Sequence, residues 1–418
     1  MRRIAPSNAS WSTGRTTLSR IALTALARRV RHGTLTISED GRRRTYGTSG
    51  ERTLAGDLEV LDSQMWNRVA TEGGVGLGRS YFMGEWDSTD LVSLLRLLTL
   101  NLDRINGLPR RLAPLTNALK RPFRNLGRPS KTDDRANIAA HYDLGDEFFR
   151  LFLDPTMAYS CAVFPSDSAT LVDASREKFD RLCRKLELGP EDHVIEIGTG
   201  WGGFAIHAAE RYGCRVTTTT ISQKQYAYAL RAVADAGLSD RVTVLNRDYR
   251  DLEGKYTHLV SIEMIEAVDW RHYETFFGAC ADLLVPDGRA ALQCIVIEDR
   301  EFERYKTQQD FIRRFIFLGG GLPSISAIAS AMTRATDMRL TDLEDLGPHY
   351  ARTLIEWSDR LDDHWSDALA LGFDESFLRR WRFYFAYCTA GFAERHVSVV
   401  QMVLARSQWR GDTALRTQ

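Results

Sequence analysis

The stretch from residue 193 to 203, His-Val-Ile-Glu-Ile-Gly-Thr-Gly-Trp-Gly-Gly, constrains this chain more than any other. Val194, Ile195 and Ile197 read as a buried strand, Gly198, Gly200 and Gly202 as a turn, with a helix starting near Trp201. Glycines suit a turn that needs positive φ and must let a ligand touch the backbone. The N-terminus of the next helix offers free N–H groups to a polar ligand. A dinucleotide turn would read Gly-x-Gly-x-x-Gly, with an acid about 20 residues on to hold a ribose. Here the spacing is Glu196-x-Gly198-x-Gly200-x-Gly202, and the next strand ends in Thr217 to Thr220 with no acid. The plain alternative is a tight strand–helix turn without a ligand.

That spacing resembles the nucleotide turn of S-adenosylmethionine methyltransferases. The surrounding pattern supports an α/β reading. Strands are expected at 194–197, 215–219, 241–245, 259–263 and 289–296, alternating with helices at 171–186, from the turn to 211, 223–236 and 273–284. Such alternation gives a doubly wound, mostly parallel sheet, which binds ligands beyond the carboxyl ends of its strands. Past residue 296 it stops. A helix is expected at 301–317, carrying Phe302, Tyr305, Phe311, Phe315 and Phe317 and running into Gly319-Gly320-Gly321. An aromatic stripe is usually core, but beside three glycines it could wall an apolar pocket. Helices around Trp357 and Trp381 and a strand at 397–404 close the chain.

Upstream, residues 33–47 alternate around Asp40-Gly41 as a hairpin. A strand at 57–62 and helices at 64–71 and 88–103 follow, with the glycine-rich 73–78 as the turn between the helices. Charge is balanced at 55 basic and 55 acidic residues, so only its distribution informs. Residues 1–38 hold seven arginines and no acid, and 104–131 are basic and acid-free. Such stretches suit an anionic membrane surface at roughly 1 kcal/mol per charge, or are simply solvated faces. Six scattered cysteines without a Cys-x-x-Cys pair argue against a metal site or disulfide frame. No run reaches the ~18 apolar residues of a membrane span.

Together, Ala140-His-Tyr-Asp-Leu-Gly-Asp-Glu-Phe-Phe, Tyr159-Ser160-Cys161, the glycine turn, Thr220-Ile-Ser-Gln-Lys-Gln225, Asp248-Tyr249-Arg250, 261–268, 319–324 and Ala390-Gly391-Phe392 resemble the cyclopropane-fatty-acyl-phospholipid synthase family. The family includes the mycolic acid cyclopropane synthases. The resemblance implies a Rossmann-like methyltransferase sheet at 133–410, a small α+β N-terminal domain at 33–120 associated with lipid or substrate, a linker at 121–132, and a basic segment at 1–32.

The implied reaction moves the sulfonium methyl of S-adenosylmethionine to a cis double bond of a phospholipid acyl chain. An alkene is a weak nucleophile, so alignment must carry much of the catalysis. The resulting carbocation needs a dry, aromatic-walled pocket. A base then removes a proton. In the family this is a bound bicarbonate, whose holders map to the backbone of Cys161, Glu266, Gln293, the backbone of Ile295 and Tyr350. Glu263 would stand behind them. Tyr142 and Tyr159 would lie near the sulfonium. Ser160, Glu196, Gly198, Gly200, Gly202, Thr220, Ile221, Gln225, Asp248 and Tyr249 would hold the cofactor, with Asp248 by the adenine.

The family's best-known members have histidine where this chain has Gln293, and an amide cannot relay a proton. The product expected first is a cyclopropane; the alternative is a methylene branch that a separate reductase would saturate. Less favoured are a nucleotide-dependent oxidoreductase and a non-catalytic lipid-binding protein. The expected location is cytoplasmic, on the inner face of a bacterial membrane. Expected partners are a phospholipid membrane with unsaturated acyl chains, a second copy of the chain, and the reductase if the product is branched. No nucleic acid and no metal are expected.

Overall fold

The computed structural model describes residues 9–48, 54–102 and 144–411, with side chains from residue 16 onward. Tyr142, the linker at 121–132 and the basic stretch at 104–131 lie outside the described residues. The chain forms two compact units, Met1–Arg128 with Trp365–Glu394, and Pro129–His364 with Arg395–Gln418.

The first unit holds a four-stranded sheet in the order β2-β1-β3-β4. Its strands are β1 (Gly33–Glu39), β2 (Arg42–Thr48), β3 (Ala55–Val60) and β4 (Trp86–Asp87). Asp40 and Gly41 both take positive φ, 50° and 72°, as a two-residue hairpin turn requires. The segment read from sequence as a glycine turn is instead a helix, Gly74–Phe82. A Cβ on Gly76 would stand 2.2 Å from the Arg68 carbonyl oxygen, so that glycine serves close approach to the preceding helix, Gln64–Glu72. The later helix begins at Leu91, where Asp90 accepts from the Ser93 N–H. Helix Glu375–Ala393, placed by the sequence reading within the second domain, folds with this unit. Its Phe383 packs on Tyr81 and Trp86, and Arg379 lies 4.1 Å over the Tyr81 ring while donating to the carbonyls of Tyr81 and Trp86.

The second unit is built on a seven-stranded sheet. Its strands are β5 (His193–Ile197), β6 (Arg215–Thr219), β7 (Val242–Leu245), β8 (Tyr256–Ile262), β9 (Leu284–Ile297), β10 (Arg339–Asp345) and β11 (Val397–Ala405), in the order β10-β11-β9-β8-β5-β6-β7. The five strands from β9 to β7 run parallel, and β11 is antiparallel to both β9 and β10. The central strands are buried on both faces, which is why Val194, Ile195, Leu259, Val260, Ala290 and Ala291 form near-continuous apolar runs. The helix Leu171–Leu186 starts at a capping box between Thr170 and Asp173. The expected helix at 301–317 is two short ones, Asp299–Tyr305 and Phe311–Phe315, because the Asp310 side chain accepts from the Arg313 N–H and restarts the helix. The order β6-β5-β8 reverses strand direction of travel at β5, so the crevice at that point is where a ligand is expected.

Candidate active site

The glycine turn leaves β5 and is stapled to β6, with the N–H groups of Gly198 and Thr199 both donating to the Thr219 carbonyl at 3.1 and 3.0 Å. Gly198, Gly200 and Gly202 take φ of 105°, 53° and 93°. A Cβ on Gly198 would meet Met264 at 3.2 Å, whereas one on Gly200 would meet nothing within 4 Å. The helix Gly203–Tyr212 has no side-chain cap. Past β6, the Thr220 hydroxyl donates to Gln225 Oε1 at 2.8 Å, with Ile221 partly exposed beside them. Past β7, both carboxylate oxygens of Asp248 are held by the Arg250 guanidinium at 2.8 and 2.7 Å, and Tyr249 sets its edge against Phe276. Glu196 is buried in β5, where its carboxylate accepts from the Thr218 hydroxyl at 2.6 Å; burial pushes its carboxyl up to about 8, and it belongs to the sheet interior. Bare glycine backbone, an uncapped helix start and a neutral Thr220–Gln225 pair fit a nucleoside carrying a sulfonium group.

The neighbouring turn, past β8, carries the carboxylates. Glu263 takes φ of +48°, a conformation costing a non-glycine residue on the order of 1–3 kcal/mol. Its backbone N–H donates to the Gln293 carbonyl at 2.7 Å. Its carboxylate collects three donors. The Cys161 N–H and the Gln293 Nε2 each reach Oε1 at 2.8 Å, and the Tyr350 hydroxyl reaches Oε2 at 2.6 Å. Gln293 Nε2 also donates to the Cys161 carbonyl, while its Oε1 accepts from Gln401 Nε2 at 3.0 Å, which fixes the amide's orientation. Burial raises the Glu263 carboxyl, against the pull of these three donors and of Lys178.

Glu266 is separate. Its Oε1 accepts from the Ile295 N–H at 2.5 Å, and its Oε2 is buried without a hydrogen-bond partner. Burial first, and the charge of Glu263 second, push this carboxyl up to about 8. The Gly321 N–H donates to the Glu266 carbonyl at 2.8 Å, tying the triple-glycine loop to the turn. The structure therefore brings together Cys161, Gln293, Tyr350, Ile295 and Glu266 as the sequence reading expects, but the first three converge on Glu263. The donors implied for a bicarbonate are engaged by the chain's own carboxyl groups, and this arrangement does not fit a separate bicarbonate.

Aromatic rings wall the site. Tyr159 packs against Phe149, Trp357 and Phe317, with centroids at 5.3, 5.3 and 6.1 Å, and Tyr350 is edge-on to Trp357. Sequence reasoning missed Lys178, a fully buried lysine whose ammonium donates to the Ser160 hydroxyl at 2.6 Å. A signal existed: Lys178 falls on the apolar stripe Leu171, Ala174, Ser175, Phe179, Leu182, Leu186. Burial lowers the Lys178 ammonium, and the neighbouring carboxyl groups of Glu263 and Asp154 pull it back toward the charged form. Thr353, also missed, accepts from the Ala162 N–H and so pins the segment after Cys161 to the helix Gly347–Asp363. Among the described residues no cluster could hold a metal ion.

Residues 129–402 match the family described as mycolic acid cyclopropane synthetase. Over 351 residues the chain is 40% identical to the tuberculostearic acid methyltransferase UfaA1 of Mycobacterium tuberculosis, covering 81% of this chain and 80% of that protein. Over 357 residues it is 32% identical to the cyclopropane-fatty-acyl-phospholipid synthase of Escherichia coli, covering 85% and 89%. The cyclopropane synthase MmaA2 from Mycobacterium tuberculosis matches with a TM-score of 0.61 at 32% identity, over 65% of this chain and 98% of that one. The mycolic acid cyclopropane synthase CmaA1, solved with SAH and CTAB, matches with the same score at 33% identity and the same coverage. The seven-stranded sheet is the Rossmann-like methyltransferase fold.

Proposed function

We propose, from the premise that this chain belongs to the mycolic acid cyclopropane synthetase family, that it adds one carbon to the cis double bond of an unsaturated phospholipid acyl chain. It is an S-adenosylmethionine-dependent methyltransferase of fatty acyl chains. The observation that supports the finer reading is a bare glycine turn past β5 beside the turn past β8 that carries two buried carboxyl groups, with Tyr350 linking that turn to the aromatic cluster of Trp357 and Tyr159.

Gly198, Gly200 and Gly202 with Thr220, Gln225 and Tyr159 would hold S-adenosylmethionine. When bound, that cofactor supplies an electrophilic methyl, and the alkene that takes it becomes a carbocation. The chain's part is to align the alkene, exclude water that would trap the cation as an alcohol, and take up one proton. The rings of Tyr159, Phe317 and Trp357 offer π faces to the cation.

Two products follow from the fate of the cation. Loss of a proton from the new methyl, with closure of a third carbon–carbon bond, gives a cyclopropane. A hydride shift onto the first cationic centre, followed by loss of a proton from the methyl on the new one, gives a methylene branch on the chain. The branched product is the first reading, supported by the 40% identity to a tuberculostearic acid methyltransferase. A separate reductase would then saturate it. The ring is the second reading, supported by the 32% identity to the Escherichia coli synthase.

The same reading puts forward a membrane surface as the site of reaction. The acid-free arginines of residues 1–38 and the exposed Leu18 and Ile21 of the helix Ala9–Ala27 support this, and among the described residues no helix is long and apolar enough to cross a bilayer. The test is mass spectrometry of lipids from a host expressing the chain and fed methyl-labelled methionine. One labelled carbon per modified acyl chain is expected; ozonolysis cleaves the methylene product and spares a ring. Unlabelled lipids would refute the proposal.

A further inference from the structure

We propose that the Glu263 carboxylate is itself the base of this reaction, held by the chain where the family resemblance implies a bound bicarbonate. This rests on the reading above that a carbocation forms on an acyl chain. Three of the five groups implied as bicarbonate holders, the Cys161 N–H, the Gln293 amide and the Tyr350 hydroxyl, point at Glu263 at 2.6–2.8 Å. The fourth, the Ile295 N–H, is taken by the fifth, Glu266. A carboxylate presents the same planar pair of oxygens as bicarbonate, so one can stand in for the other in the same set of donors.

The backbone shows that this placement is imposed. Glu263 occupies a left-handed conformation that glycine adopts freely, and the turn carries a glutamate there. Strain of that kind persists where surrounding structure over-determines it, and it concentrates at functional sites. Charge divides the two carboxyl groups. Burial raises both, but three donors and Lys178 pull Glu263 toward its ionised form, while Glu266 has the Ile295 N–H and a negative neighbour. Glu263, whose two oxygens face three donors, is the base.

The step balances. A C–H bond of the transferred methyl breaks, and its electron pair becomes the new carbon–carbon bond of the ring or the methylene. The proton moves to Glu263, which returns it to solvent after product leaves. Three hydrogen bonds oppose the rise that burial gives the Glu263 carboxyl and hold its basicity below what burial alone would give. Each donor slows the proton transfer, which gives the hydride shift time to occur.

The experiment compares the parent enzyme with Glu263→Gly, a substitution the left-handed backbone accommodates. In buffer stripped of bicarbonate the parent should keep its rate, and the variant should lose about 100-fold or more, the range a general base supplies. S-adenosylmethionine binding by calorimetry should be nearly unchanged in the variant. Added formate or bicarbonate should restore part of the variant's rate, and labelled bicarbonate should bind the variant but not the parent by carbon NMR. A parent that needs or binds bicarbonate, a variant with undiminished rate, or a loss that no small carboxylate relieves would overturn the assignment. The NMR comparison requires no turnover, so it judges Glu263 even if the parent modifies no lipid, a result that would sink the functional reading instead.

Discussion

Two turns stand at the carboxyl ends of the neighbouring strands β5 and β8, and they solve opposite problems. The turn at 198–202 reaches positive φ through glycines, and its middle glycine faces open space. The turn at 263–266 reaches positive φ through a glutamate and fills its donors with that residue's own carboxylate. The first is stripped of side chains so that something else can lie against the backbone. The second brings its anion with it. Met264 joins them, since it is the side chain a Cβ on Gly198 would strike. Adjacent strands of one sheet thus carry a receiving turn and a self-contained one, and each should respond differently to substitution.

The largest effect is expected from Gly198→Ala. At φ of 105° an L side chain is strained, and its Cβ would sit 3.2 Å from Met264. The left-handed penalty alone is roughly 1–2 kcal/mol, and moving Met264 disturbs the second turn as well. Cofactor binding, read by calorimetry, should fall by at least tenfold, and turnover by more. Near-parental binding would mean that the two turns are not coupled through Met264.

Tyr350→Phe should come next. It deletes one of the three hydrogen bonds to Glu263, and a bond to a charged group contributes about 1.5–3 kcal/mol. The hydroxyl favours the ionised form, so its loss raises the Glu263 carboxyl further. The rising limb of the pH–rate profile should therefore move to higher pH. A stronger base also shortens the life of the cation, so the ring-to-branch ratio of the product should increase. A profile that stays in place would separate Tyr350 from the proton transfer.

Glu266→Gln tests the second carboxyl through stability. Its folded value of about 8 lies above the ordinary glutamate value of 4.5, so the folded state holds this proton more tightly than the unfolded chain does. That contribution is fully present below pH ~4.5, is lost as pH rises, and is gone above pH ~8, a swing of a few kcal/mol at most. The glutamine keeps the acceptor for the Ile295 N–H without the titration. Denaturation midpoints should show the variant gaining on the parent between about pH 5 and about pH 8. A constant difference across that range would mean that Glu266 titrates normally. Turnover should survive in this variant where it does not in Glu263→Gly.

How much of this was legible follows the same contrast. Periodicity placed the helix 171–186 and β6 at their observed ends, because both bury a regular face. It overlooked β10, whose Arg339–Asp345 are mostly exposed and carry no apolar rhythm. The glycine run at 73–78 read as a turn because composition cannot distinguish a glycine needed for positive φ from Gly76, needed for close helix packing. In the site, the glycine turn announced itself, and the motif resemblance carried Cys161, Glu266, Gln293, Ile295 and Tyr350. Glu263 was named but set behind them, since nothing in Ser-Ile-Glu-Met-Ile-Glu shows which glutamate the backbone swings toward three distant donors. Lys178 was readable as a charge on an apolar stripe, and its partners were not, because they come from other elements.

The smallest expected effect lies farthest from the chemistry, at Gln401. It is fully buried on β11, opposite Gln293 on β9, and its side chain reaches the Glu263 network by donating to the Gln293 side-chain Oε1. Without that donor the Gln293 amide could turn over and present oxygen, where it now presents N–H, to the Glu263 carboxylate. Two oxygens in contact repel, so the flipped form would be a minor population, and the parent's amide would remain favoured by the Cys161 carbonyl. Gln401→Leu removes the donor while keeping an apolar filling, and a net hydrogen bond is worth about 0.5–1.5 kcal/mol. Turnover should fall only a few-fold, with cofactor binding untouched, and the rising limb of the pH–rate profile should shift upward by less than in Tyr350→Phe. A loss as large as that of Glu263→Gly would show that the amide's orientation, and not the carboxylate it faces, governs the second turn.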